Sequence, residues 1–211
     1  MTGTGATDER VEFFFDLSSP WTCLAFHNLP DMLERTGATA RYRPILVGGV
    51  FNAVNPAVYA ARAQTGNRRM DHGWKVLKDW ARLAGVPMNF PSQWHPAKSV
   101  HAMRFAAALE DDQAALVRFA RGAFASYFGR QENLDDPAVL AAVADAEGLD
   151  GAALAAAAGS DAVKARLRAN TDEVVARGGY GSPTIFVDRT DMYFGNDQLP
   201  LVEAALSKDK K

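Results

Sequence analysis

Apolar residues crowd the first part of the chain at Val11, Phe13, Phe14 and Phe15, a run of strand length and aromatic content. The pattern changes at Ser18-Ser19-Pro20. Beyond it Leu24, Leu29, Met32 and Leu33 recur at helical intervals, and Gly37 supplies a stop. Ser19 directly before Pro20 reads as a helix N-cap with proline at the first helical position. Residues 39–46 alternate well enough for a second strand. Strand, helix and strand at this spacing predict a parallel β-α-β unit.

Gly48-Gly49 breaks the pattern, and from there to about Gly178 the periodicity is helical. Helices are expected over residues 70–83, 99–109, 114–128, 138–146, 151–158 and 161–176. Residues 89–96 form an irregular proline-rich connection between the first two. Asp135-Asp136-Pro137 marks one helix start, an acidic cap followed by proline. Strand character returns at 184–187 and 192–194, and Gly195-Asn196-Asp197 precedes a last helix over 198–206. A β-α-β half and a β-β-α half thus flank a long helical stretch. The expectation is an α/β chain: a thioredoxin-like domain over 11–50 and 179–207, interrupted by an all-helical insertion domain over 51–178.

Composition narrows the function classes. The chain has 211 residues, 48% of them hydrophobic, and a net charge of −2. That balance, with no long basic run, gives no support for a nucleic-acid partner. No apolar stretch approaches a membrane span. The first ten residues are polar and lack the apolar centre of a signal peptide, so the cytoplasm is the expected location. Cys23 is the only cysteine, which excludes an intrachain disulfide. His27, His72, His95 and His101 show no metal-ligand spacing, and no metal is expected. The tail Lys208-Asp209-Lys210-Lys211 reads as a solvated end.

Ser19 sits where a strand ends and a helix begins, so a hydroxyl stands beside free helix N–H groups that favour an anion. In the thioredoxin superfamily this position carries Cys-x-x-Cys. Here the four residues are Ser19-Pro20-Trp21-Thr22, and a dithiol cycle has no second sulfur. The hydroxyl can instead donate to a thiolate brought by a ligand; taken alone, it also fits an ordinary cap. Gly181-Ser182-Pro183 before a strand predicts a cis-proline loop that turns the Ser182 N–H and C=O outward to a ligand peptide. At Asn196-Asp197, backbone N–H groups and the Asp197 carboxylate suit the carboxylate and ammonium of one amino-acid end. The three places match the thiol, central peptide and γ-glutamyl end of glutathione.

Ser19-Pro20 after a strand ending in Asp16, Gly181-Ser182-Pro183-Thr184, Phe194-Gly195-Asn196-Asp197, and Trp80-Ala81 followed by Gly85-Val86-Pro87 together resemble the kappa-class glutathione transferases and 2-hydroxychromene-2-carboxylate isomerases. The likeness runs from about Val11 to Leu206, and the Phe-Gly-Asn-Asp form is closer to the isomerase branch. It implies glutathione as cofactor, Ser19 as the catalytic hydroxyl, and glutathione contacts at Ser19, Asn55, Arg69, Ser182, Pro183, Asn196 and Asp197. Arg69 stands where the family has a lysine. His72 replaces a common tyrosine, and Pro96-Ala97-Lys98-Ser99 departs from the family's Pro-x-Asn-Ser. His72 and Lys98 are therefore placed on the side of an aromatic second substrate. The resemblance also implies a homodimer. The resulting expectation is a glutathione-dependent isomerase. A kappa-like transferase and a non-catalytic glutathione- or peptide-binding module are the alternatives.

Overall fold

The structure, a computed structural model, describes residues 9–63 and 67–207. The polar leader before residue 9 and the tail from Lys208 lie outside the described residues. Strand β1 (Val11–Phe15) is buried along its whole length, which is why it reads as an apolar run rather than an alternation. It pairs in parallel with β2 (Ala40–Pro44), Val11 opposite Ala40. On its other edge it pairs antiparallel with β3 (Thr184–Val187), which pairs antiparallel with β4 (Asp191–Phe194). The sheet order is β2-β1-β3-β4. Successive side chains of β1 go to opposite faces. Phe13 and Phe15 enter the large core with Phe26 of helix α1 (Pro20–Thr36), while Phe14 packs with Ile45, Val50, Val174 and Phe186.

Helix α1 ends where Gly37 takes a left-handed φ of 68° and its N–H bonds the Glu34 carbonyl. After β2 come α2 (Val47–Val54), α3 (Ala57–Ala63), α4 (Arg68–Ala84), α5 (Val100–Ala108) and α6 (Gln113–Phe124). Then follow α7 (Pro137–Ala146), α8 (Gly151–Ala158), α9 (Asp161–Ala176) and, after β4, α10 (Leu199–Ser207).

Four local expectations need correction. Gly48 and Gly49 do not break the chain but lie inside α2, so residue 50 also falls within a helix. Tertiary contact overrides their low helix propensity: a Cβ on Gly49 would stand 3.1 Å from Thr171 Cγ2 of α9, so the glycine lets the two helices approach. Helix α3 carried no recognised signal. The helix expected over 114–128 is α-helical only to Phe124 and continues as a π-helical segment, Ala125–Arg130. The last helix is preceded by a 3-10 turn over Asn196–Gln198.

One buried charge network ties the insertion to the sheet. Arg43 of β2 donates to Glu110 Oε1 at 3.0 Å, to Glu12 Oε1 at 3.3 Å, and to Glu173 Oε2 and Asn170 Oδ1, both at 2.8 Å. Arg177 bonds Glu12 and Glu173 in turn and lies 3.8 Å over the Phe186 ring. Burial works against the Glu173 charge, but its hydrogen bonds to Arg43 and Arg177 outweigh this and lower its pKa. A lowered folded pKa contributes stability above the unfolded glutamate pKa, and that stability is lost as pH falls through the folded value. Arg43→Met should cost about 3 kcal/mol by urea unfolding at neutral pH, because Glu110, 4% exposed, loses its cation. The gap between variant and parent should narrow as Glu173 protonates in acid. A cost below about 0.5 kcal/mol would show that the network is not a structural tie.

Candidate functional site

The site grows from the end of β1. Asp16 is fully buried, yet every acceptor direction of its carboxylate is used. Oδ1 accepts the Ser18 N–H at 2.8 Å and the Ser18 hydroxyl at 2.7 Å. Oδ2 accepts the Val47 N–H at 2.8 Å and the Ser99 hydroxyl at 2.9 Å. Burial raises the Asp16 pKa, and these four bonds oppose it. The backbone closes the same turn, Ser19 N–H donating to the Asp16 carbonyl at 3.2 Å.

That turn delivers Ser19 as the N-cap of α1, in extended geometry with φ −90° and ψ 119°. Its Oγ accepts the Thr22 N–H at 3.2 Å and donates to the Ser182 carbonyl at 3.0 Å. The Ser182–Pro183 bond is cis. Ser182 is anchored by its side chain: Oγ accepts the Asp16 N–H at 2.8 Å and lies 2.7 Å from the Thr22 hydroxyl. The cis-proline loop and the helix cap are therefore joined by polar bonds. The Ser182 carbonyl already accepts the Ser19 hydroxyl, which leaves one of its two lone pairs for a ligand peptide.

At the far end of β4, Gly195 has φ 91°, and a Cβ there would stand 2.8 Å from Asp197 Oδ1. Glycine is needed for the chain to turn so close to that carboxylate. Asn196 is buried and accepts from Asn28 Nδ2 of α1 at 2.8 Å. Asp197 is exposed and makes no ion pair among the described residues. Asn55 is the C-cap of α2, and its amide donates to the Tyr180 carbonyl at 3.5 Å, just ahead of the cis-proline loop.

Ser19, Ser182, Pro183, Asn55, Asn196 and Asp197 thus belong to segments joined at one end of the sheet. Arg69 and His72 do not join them by any bond: both are exposed near the start of α4 and make no hydrogen bond or ion pair with a groove residue. Lys98 is exposed and precedes Ser99, whose hydroxyl donates to Asp16. Asp16, Thr22 and Ser99 stand within the sequence motifs, but the bonds they make here are not read from them. A visible clue was an acid ending an apolar strand three residues before the cap. A cavity of about 830 Å³ beside α1, lined by Cys23, Phe26, His27, Pro87 and Arg121 among others, includes none of these groove residues.

Cys23 is buried, and burial pushes its thiol pKa up to about 12. At neutral pH it is held as the thiol, a far weaker nucleophile than the thiolate. Iodoacetamide at neutral pH should leave Cys23 unmodified in the folded protein and label it once unfolded. Insulin reduction should be absent from both the parent chain and Cys23→Ser. Turnover of insulin disulfides by the parent that disappears in Cys23→Ser would make Cys23 a reactive thiol.

Residues 10–207 match the DSBA-like thioredoxin domain family. A 2-hydroxychromene-2-carboxylate isomerase from Sphingobium xenophagum is 30% identical, over 94% of this chain and 98% of that protein. Glutathione S-transferase kappa 1 from Rattus norvegicus is 26% identical, over 97% of this chain and 93% of the relative. A solved 2-hydroxychromene-2-carboxylate isomerase superimposes with a TM-score of 0.80 at 26% identity, over 95% of each chain. The chain belongs to the DsbA-like thioredoxin family, among the relatives that include the 2-hydroxychromene-2-carboxylate isomerases and the kappa-class glutathione transferases.

Proposed function

We propose that the chain is a glutathione-dependent cis-trans isomerase acting on 2-hydroxychromene-2-carboxylate or a related aromatic-ring-degradation intermediate. The observation that carries the reading is the Ser19 hydroxyl, placed at a helix N-terminus and bonded to the carbonyl before a cis-proline. The residues present fit glutathione: a hydroxyl donor for a thiolate, a loop that can pair with a peptide, and an exposed carboxylate at Asp197 with no ion-pair partner among the described residues. Bound glutathione supplies a thiolate that adds reversibly to a conjugated carbon, so a former double bond rotates before the electron pair returns to sulfur.

The chain's own residues do the rest. The Ser19 O–H turns from the Ser182 carbonyl to the sulfur, and the free N–H groups of α1 favour the negative charge there. The released Ser182 carbonyl accepts the N–H of the cysteinyl residue. Asp197 pairs with the γ-glutamyl ammonium, and Asn196 shapes the turn that presents it. Asn55, together with Arg69, takes the glycyl end. Lys98 and His72 would face the acceptor and hold its carboxylate. A homodimer in the cytoplasm belongs to the same reading.

Two measurements test it. Isothermal titration should show glutathione binding to the parent chain and binding about tenfold or more weaker to Asp197→Ala, the loss of one charge-assisted contact. Equal affinity would remove Asp197 from the site. In turnover of 2-hydroxychromene-2-carboxylate, the rate should depend on glutathione while the amount of free glutathione stays constant. Consumption of one glutathione per product would instead make the chain a transferase. Binding without turnover of this substrate or its relatives would make it a binding module.

A further inference from the structure

We propose that Asp16 is a positioning residue that sets the spacing between the thiol end and the glycyl end of the peptide groove, an inference that rests on the glutathione reading above. Its two oxygens serve different segments. Oδ1 holds the Ser18-Ser19 turn, and with it the thiol subsite. Oδ2 holds the Val47 N–H, the first residue of α2, and the Ser99 hydroxyl at the start of α5. Helix α2 then runs eight residues to its cap at Asn55, whose amide returns to the cis-proline segment through Tyr180. The helix is thus fixed at its start to the carboxylate that also holds the Ser19 turn, and at its end, through Asn55, to the cis-proline segment.

The chemistry of the anchor requires a carboxylate. Each oxygen of Asp16 faces one backbone N–H, from Ser18 on one side and Val47 on the other. A hydroxyl can rotate to accept, as Ser18 and Ser99 can, but a backbone N–H only donates. An asparagine in either orientation therefore sets its amide NH₂ against a backbone N–H. The less costly orientation keeps the oxygen on the Ser18 turn and gives up Val47. Asp16→Asn should then release the start of α2 while leaving Ser19 in place.

A second variant reaches the same bond from its other partner. Val47 is the first helical residue of α2, where proline is tolerated because its missing N–H has no intrahelical role. The preceding Leu46 is already extended, φ −101° and ψ 105°, as the residue before a proline must be. Val47→Pro deletes one donor to Asp16, and its ring carbon, standing where that hydrogen was, pushes Oδ2 off the start of α2 while Oδ1 keeps its bonds to the Ser18 turn.

The test is calorimetric titration of the parent, Asp16→Asn and Val47→Pro with glutathione and with γ-glutamylcysteine, which lacks the glycyl end. Both variants should bind glutathione about fivefold more weakly, the loss of roughly one hydrogen bond's worth of positioning. Both should bind γ-glutamylcysteine within about twofold of the parent, since the lost contact lies outside that ligand. Simple damage to the fold would weaken both peptides alike, and that result overturns the proposal. So does unchanged glutathione affinity in Val47→Pro. A parent chain that binds neither peptide overturns the groove reading itself, and this inference with it.

Discussion

The site depends on a single shared hydroxyl. Ser19 Oγ accepts from its own helix and donates to the cis-proline loop, so one O–H joins segments 163 residues apart in sequence. A hydroxyl has only one proton to give. In the free protein that O–H donates to the Ser182 carbonyl, and a thiolate has to turn it away from there. The net stabilisation of sulfur is therefore a difference: a charge-assisted bond gained, about 1.5–3 kcal/mol, less a neutral bond lost, about 0.5–1.5 kcal/mol. About one pKa unit of thiol acidity follows. The cysteinyl N–H can refill the carbonyl, which makes binding an exchange of partners within a groove already assembled.

That groove is held open by burial rather than by the ligand. β1 is apolar from Phe13 through Phe15, and its next residue carries a carboxylate into the core. An unpaired buried carboxylate would be very costly, so the fold surrounds Asp16 with donors from its own turn and from two other segments. The Arg43 network does a similar job below, tying β2 and α9 to β1. Between them the two buried charge centres fix the insertion to the sheet at two levels, and the N-terminus of α1 is left with a defined set of free donors.

What was legible in the sequence was local. Ser19-Pro20 is a cap because proline suits the first helical turn, and Gly37 is a stop because only glycine easily takes its φ of 68°. The strand assignments and the parallel β-α-β unit followed from period and spacing, and the structure has them. Gly48-Gly49 misled because glycine breaks helices only where nothing else orders them. Here the Asp16 carboxylate caps the start of α2 and Thr171 lies against Gly49. The bonds from Asp16 to Val47 and Ser99 span 31 and 83 residues and leave no periodic trace. The placement of Asn55 against Tyr180 is likewise tertiary. Lys98 is next in sequence to Ser99, which bonds Asp16, while Arg69 and His72 make no bond to the groove segments.

The thiol pKa of bound glutathione tests the central claim most directly. It is read by titrating the thiolate absorbance of the complex against pH, in the parent and in Ser19→Ala. The account predicts a pKa well below that of free glutathione in the parent, higher by about one unit in Ser19→Ala, with some lowering left from the helix N-terminus. Identical titration curves in the two proteins, with glutathione bound in both, would contradict it.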